Sequence, residues 1–322
     1  MEGPVLVGDV GGTNVRFALA ARRDGVLRIE HFQKLPGDDF ESFEAALRHY
    51  LSKTSVRAEA ACFALAGPII DQEVTLTNRA KWKVSSAGVA SLFGFQDVRL
   101  INDFHAMARS VPEYAVSSFD KIFPGTPKPG APMLVAGPGT GFGVATLLSG
   151  TDGQWQVMSG EGGHMAYASR TAVELEMTRL LTRDYGYVSN ELVASGSGLE
   201  EVHRAFCEIY GRDCLELSPE DMRQRADEGD EMFLALIEVR ALAVMGAAGD
   251  LVLANGALGG VVLAGGVTER ISDFLKTPQA RERFVSRGPM SPYLEDCPVW
   301  LMHDAAAPLI GAAADFEQRS RI

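Results

Sequence analysis

Two glycine-rich turns, an Asn-Asp pair and a Glu-Gly-Gly-His run are the residues of this chain whose types and spacing could do chemistry. The first turn, Gly8-Asp9-Val10-Gly11-Gly12-Thr13, has little side chain to block the approach of backbone N–H groups to an anion. Its carboxylate, Asp9, would repel bare phosphate, so it fits phosphate that arrives with a divalent cation. A plain hairpin turn in which Asp9 bonds its own backbone is the competing reading. Gly137-Pro138-Gly139-Thr140-Gly141-Phe142-Gly143 is a second anion cradle. Asn102-Asp103 sets an amide beside a carboxylate. An aspartate so placed can accept the proton of an attacking hydroxyl while magnesium and backbone donors bear the phosphoryl charge. Taken singly, the same pair is a helix cap. Glu161-Gly162-Gly163-His164 is too glycine-rich for a good helix, which favours a loop displaying both polar groups toward sugar hydroxyls. A di-iron reading of Glu-x-x-His needs helices and a second copy, and the sequence offers neither.

Other chemistries lose ground. Neither a G-x-G-x-x-G dinucleotide turn nor a G-x-x-x-x-G-K-[ST] loop occurs, and the H-R-D catalytic loop is missing. The net charge of -12 argues against a nucleic-acid partner, which needs a basic face. Cys62, Cys207, Cys214 and Cys297 form no C-x-x-C pair and no zinc spacing, so they read as buried or incidental thiols of a reducing compartment. The start, Met1-Glu2-Gly3-Pro4, lacks the pattern of a signal peptide, and a cytoplasmic protein is expected. The apolar stretch from Ala241 to Gly266 is interrupted by Asp250, Asn255 and glycines. It reads as a buried helix followed by a strand, without a membrane span.

The elements that must position these groups are legible in part. Val5 to Leu19 alternates around its glycine turn as a β-hairpin. Ser42 to Leu51 has helical spacing, Ala60 to Leu65 is a short buried strand, and Val98 to Ile101 is another. Asn102-Asp103 then falls at a strand's carboxyl end, the edge where open α/β sheets bind ligands, ahead of a helix from Phe104 to Arg109. Phe123 to Pro132 is a Pro/Gly loop or linker with a domain boundary near it. Met133 to Ala145 repeats the opening theme: Leu6 with Leu134, Val7 with Val135 and Gly11 with Gly139 share one offset. Two related halves and chance similarity between two hairpins are both open readings. Phe233 to Leu253 is a long apolar helix, Val261 to Ala264 a strand, and Ala305 to Phe316 a small-residue helix able to pack closely against the first domain.

In that order, Gly8 to Asn14, Leu65-Ala66-Gly67-Pro68, Ile101-Asn102-Asp103-Phe104, Gly137 to Gly143, Gly160 to His164, Glu191 to Leu199 and Ala264-Gly265-Gly266-Val267 resemble the bacterial glucokinases of the hexokinase and actin superfamily. The resemblance implies a two-domain α/β actin-like ATPase (ribonuclease H-like) fold. Residues 1–110 with 301–322 would form the small domain and 111–300 the large one, with sugar and nucleotide in a closing cleft. It further implies ATP and magnesium, D-glucose as acceptor, and a homodimer; the absence of nucleic-acid and membrane partners is expected from the charge and the interrupted apolar stretch above. Asp103 looks like the general base for the 6-hydroxyl, and Asn102, Glu161, His164 and Glu191 like the sugar contacts. Asp9 would organise magnesium through water. Gly8, Val10, Gly11, Gly12 and Thr13, with Gly139 and Thr140, would hold phosphates, and Gly265 and Gly266 would lie near the adenosine.

Ser159 and Ser197 stand where relatives often carry proline, and Pro138 interrupts the second turn, which bears on loop rigidity and sugar affinity. The cysteine-rich zinc motif of the repressor and open-reading-frame kinase branch is missing, as is an amino-terminal helix-turn-helix. Two alternatives keep the fold: a kinase for another hexose or an amino sugar, and a catalytically idle sugar-binding regulator.

Overall fold

A computed structural model describes residues 3–77, 79, 81–150 and 153–320. The chain divides into two compact units: residues 1–118, 147–159 and 304–322, and residues 119–146 with 160–303. Residues 111–118 and 147–159 thus lie with the first unit and residues 301–303 with the second, where the sequence places 1–110 with 301–322 in the small domain.

The first unit is built on β1 (Val5–Val10), β2 (Asn14–Arg23), β3 (Val26–Pro36) and β4 (Ala60–Leu65), a small β5–β6 ladder (Glu73–Thr75, Lys83–Ser85), and β7 (Asp97–Asn102). Its five-stranded sheet has the order β3-β2-β1-β4-β7, with β1, β4 and β7 parallel and the β1–β2–β3 meander antiparallel. β1 and β4 are buried along their whole length because both faces of the sheet are covered. Alternate residues serve different cores. Leu6, Phe17 and Phe63 meet Phe43, Leu47 and Tyr50 of the helix Phe43–Thr54 on one face, and Ser42 caps that helix by accepting from Ala45 N–H. Val7, Ala18, Cys62 and Ala64 on the other face meet Leu309, Ala312, Ala313 and Phe316 of the helix Ala307–Arg319. That helix lies so close to the helix Asp103–Ser110 that a Cβ on Gly311 would sit 1.7 Å from the Ala106 carbonyl oxygen. The expectation that small tail residues serve close packing holds.

The second unit carries β8 (Asp120–Phe123), β9 (Met133–Pro138), β10 (Phe142–Ser149), β11 (Trp155–Gly160), β12 (Gly260–Leu263) and β13 (Val299–Leu301), in the order β11-β10-β9-β12-β13-β8. The distal part of the β10–β11 hairpin counts with the first unit. Strand for strand, β11-β10-β9-β12-β13 repeats β3-β2-β1-β4-β7, and β9, β12 and β13 are parallel as β1, β4 and β7 are. The shared offset between the two glycine turns therefore reflects two halves of one topology. Only β8, paired antiparallel with β13, has no counterpart, and it takes up Phe123, the first residue of the expected linker. The helix Glu231–Asn255 has a mean hydropathy of 1.7 over its most apolar window, 83 % of which is buried within the protein, so its apolarity serves the core.

Candidate functional site

In the first unit, register brings the chemistry to one edge. Val10 of β1 lies opposite Leu65 of β4, and Leu65 opposite Asn102 of β7, so all three strands end side by side. The Gly11–Thr13 turn, the Ala66-Gly67-Pro68 segment and Asn102-Asp103 thus converge at the carboxyl edge. Ala66 N–H donates to Val10 C=O at 3.1 Å and Thr77 N–H to Ala66 C=O at 3.0 Å.

Asn102 is a helix cap. Its Oδ1 accepts from Phe104 N–H at 2.9 Å and His105 N–H at 3.1 Å, and its Nδ2 donates to Gly67 C=O at 3.4 Å. The capping function thus falls mainly to Asn102, and Asp103 occupies the first helical position, its Oδ1 also accepting from Phe104 N–H at 2.9 Å. The carboxylate there lies at the positive end of the helix dipole. His105, two residues on, ties this helix to the carboxy-terminal one: its Nε2 lies 2.9 Å from Asp315 Oδ1, and its Nδ1 lies 3.3 Å from the Ser159 hydroxyl.

Asp9 is buried at 5 % exposure and ion-pairs with Arg16, its direct partner across the hairpin. Burial raises its pKa, and the guanidinium acts in the opposite sense. The pair was legible in the sequence, because Asp9 and Arg16 occupy mirror positions about the Gly11–Thr13 turn. One carboxylate oxygen of Asp9 faces Arg16, and no hydrogen bond engages the other among the described residues.

In the second unit the glycine turn Gly139–Gly141 closes on itself, Gly139 N–H donating to Gly141 C=O at 2.8 Å. Pro138 ends β9 ahead of that turn and does not interrupt it. Gly137, at φ +157°, lets β9 pass β12: a Cβ there would lie 1.9 Å from the Ala264 carbonyl oxygen, contact only glycine allows. The same approach sets the backbone of Gly265 against Pro138 and Gly139.

The turn is bolted to a segment far away in sequence. Gly196 N–H donates to Gly139 C=O at 2.9 Å, and Ser197 N–H to Thr140 C=O at 3.0 Å. Proline at 197 would lack that second donor, so Ser197 adds an anchor where a looser loop was expected. Glu191 completes the cluster. Its Oε2 accepts from Phe142 N–H at 2.7 Å, and its Oε1 stands 3.9 Å from His164 Nε2. The Glu161–His164 loop is held beside it through Asn190 N–H to Met165 C=O at 2.9 Å and an antiparallel bridge between Ala166 and Ser189. Glu161, which precedes the short turn Gly162–His164, and His164 within it are exposed. His164 and Glu191, beside the second glycine turn, thus form one polar cluster with Glu161 three residues before His164 on the same loop, whereas Asn102, Asp103 and Asp9 belong to the first unit.

Two actin-like α/β units with a glycine turn each, a carboxylate at a helix start and a carboxylate–imidazole loop define a sugar-kinase class of protein. The sequence profile of the family described as Glucokinase matches residues 6–319. A glucokinase of Chromobacterium violaceum is 37 % identical over 97 % of this chain and 88 % of its own. The crystal structure of a glucokinase from an Antarctic psychrotroph is 36 % identical, superposes with a TM-score of 0.84, and covers 98 % of this chain and 99 % of that one. The glucokinase of Balamuthia mandrillaris, solved in complex with glucose, is 24 % identical at a TM-score of 0.80 over 96 % of this chain and 92 % of its own, and shows the shared fold. The chain belongs to the glucokinase family.

Proposed function

We propose that this protein transfers the γ-phosphoryl group of magnesium-ATP to the 6-hydroxyl of D-glucose, giving glucose 6-phosphate and ADP. The observation that carries the reading is the family match over residues 6–319, with relatives described as glucokinases at 36–37 % identity along nearly the whole chain. The placement of Asp103 at a helix start and the His164–Glu191 pair support it.

In this reaction Asp103 takes the proton of the 6-hydroxyl as that oxygen attacks the γ-phosphorus, and the bond from phosphorus to the ADP oxygen breaks. Glu161, His164, Glu191 and the remaining amide N–H of Asn102 hold sugar hydroxyls. The backbones of Gly8 to Thr13 and of Gly139-Thr140 hold phosphate oxygens, and Gly265-Gly266 borders the adenosine. Magnesium arriving with the nucleotide would supply positive charge against the phosphoryl oxygens. Asp9 would hold it through water, using the oxygen that Arg16 leaves unengaged. We extend the proposal to a cytoplasmic homodimer, supported by family resemblance and by four cysteines carried as free thiols.

A coupled ADP-release assay over glucose, mannose, fructose and glucosamine tests the reading. Glucose should give the highest kcat/KM. Preference for another sugar would reassign the substrate, and glucose binding without ADP release would leave a sugar-binding regulator.

A further inference from the structure

Away from the groups described above, helix Leu199–Tyr210 carries His203 and Cys207 one turn apart on one face, which sets His203 Nε2 3.4 Å from Cys207 Sγ. Gly211, in the left-handed conformation, ends the helix and turns the chain back, and Cys214 on the following loop brings its Sγ to 3.8 Å from His203 Nδ1. The loop is fixed by Arg212, whose amide donates to Cys207 C=O at 2.9 Å and whose guanidinium donates to Asp230 at 2.8 Å. One nitrogen of His203 and the two sulfurs all lie within 4.8 Å of one another. His203 and Cys207 are buried, and Cys214 is exposed.

We infer that His203, Cys207 and Cys214 form a binding site for one thiophilic metal ion of the zinc class, with its fourth position open on the solvent side of Cys214. Bond lengths of about 2.3 Å to sulfur and about 2.0 Å to nitrogen put tetrahedral ligand atoms about 3.5–3.8 Å apart, so one ring nitrogen and two sulfurs lying within 4.8 Å of one another need only a small inward shift to hold one ion. Soft sulfur ligands with one imidazole select zinc over magnesium, so the site does not compete for the metal that accompanies ATP. Binding replaces two S–H bonds by two metal–sulfur bonds and releases two protons, with no change of oxidation state. An ion there would pin the end of this helix to the loop after it. The other end of the helix begins directly after Ser195–Gly198, the segment bonded to the second glycine turn. The site is independent of the kinase reading and stands or falls without it.

The test uses the full-length, freshly reduced protein and cobalt(II) as the probe. One equivalent should raise a thiolate-to-metal charge-transfer band, release close to two protons and be displaced by zinc. Cys214→Ser, at an exposed loop position, should keep the fold and bind at least tenfold more weakly with the band diminished. His203→Gln should weaken binding while keeping part of the band. No band in the reduced protein, or a band of full strength in Cys214→Ser, would overturn the inference. So would a chain two mass units lighter in mild reductant, which would show a Cys207–Cys214 disulfide in place of a metal site.

Discussion

Asp103→Asn separates the catalytic from the structural role of this residue, because the two carry different magnitudes. Asparagine at 103 keeps an oxygen that can accept the 2.9 Å hydrogen bond from Phe104 N–H, and Asn102 continues to cap the helix. What is lost on the structural side is one negative charge in the first helical turn, about 0.3–1 kcal/mol. For a protein of this size that corresponds to a thermal midpoint lower by at most about 2–4 °C. A general base contributes about 10²–10⁴-fold, which is about 2.7–5.4 kcal/mol of transition-state stabilisation. The expected outcome is a kcat reduced by at least about a hundredfold, with glucose affinity within a few-fold of the parent and a nearly unchanged midpoint. ADP release followed by coupled NADH oxidation, glucose titration by calorimetry and a thermal melt measure the three quantities. A kcat within tenfold of the parent would refute the base assignment. A large loss accompanied by an equally large loss of glucose binding would instead make Asp103 a sugar-holding residue.

Glu191→Gln keeps an oxygen toward Phe142 N–H but removes the charge near His164, so KM for glucose should rise about tenfold or more while the melt stays within a few degrees; an unchanged KM sinks its role. Gly311→Ala forces a methyl to 1.7 Å from the Ala106 carbonyl oxygen, backbone against backbone, and should cost about 1–3 kcal/mol or more in urea unfolding. An unaltered midpoint would contradict that packing. For Asp315, burial pushes the carboxyl up, but the His105 hydrogen bond and the charges of His105 and Arg319 outweigh it and hold the carboxyl below its ordinary value. A depressed folded-state pKa contributes stability that is full above the unfolded value of about 3.9 and is lost as pH falls through the folded value. The stability gap between the parent and Asp315→Asn should therefore shrink as pH falls below about pH 4. A gap independent of pH across that range would show that the ion pairs contribute nothing.

Much of the molecule was legible because its signals are local. The glycine turn of the first hairpin fixes mirror positions on either side, so the β1–β2 pairing follows from residues 5 to 23, including the Asp9–Arg16 pair that motif reading passed over. The strand Ala60–Leu65 and the helix Glu231–Asn255 follow from apolar runs bounded by breakers. Asn102 as a cap follows from residue type alone.

What only the tertiary structure decided lies between residues far apart in the chain. Spacing along the chain carries no signal that Glu191 accepts a hydrogen bond from Phe142, that Ser197 anchors Thr140, or that Ser159 meets His105. Each of these contacts depends on strand order and on close approach at Gly137 and Gly311, which are packing outcomes of whole sheets and helices. The three-residue cluster of His203, Cys207 and Cys214 shows the same division. Its first pair is a helical repeat visible in the sequence, but the third member arrives only because the Gly211 cap turns the loop back, so cysteine spacing alone read the set as incidental thiols.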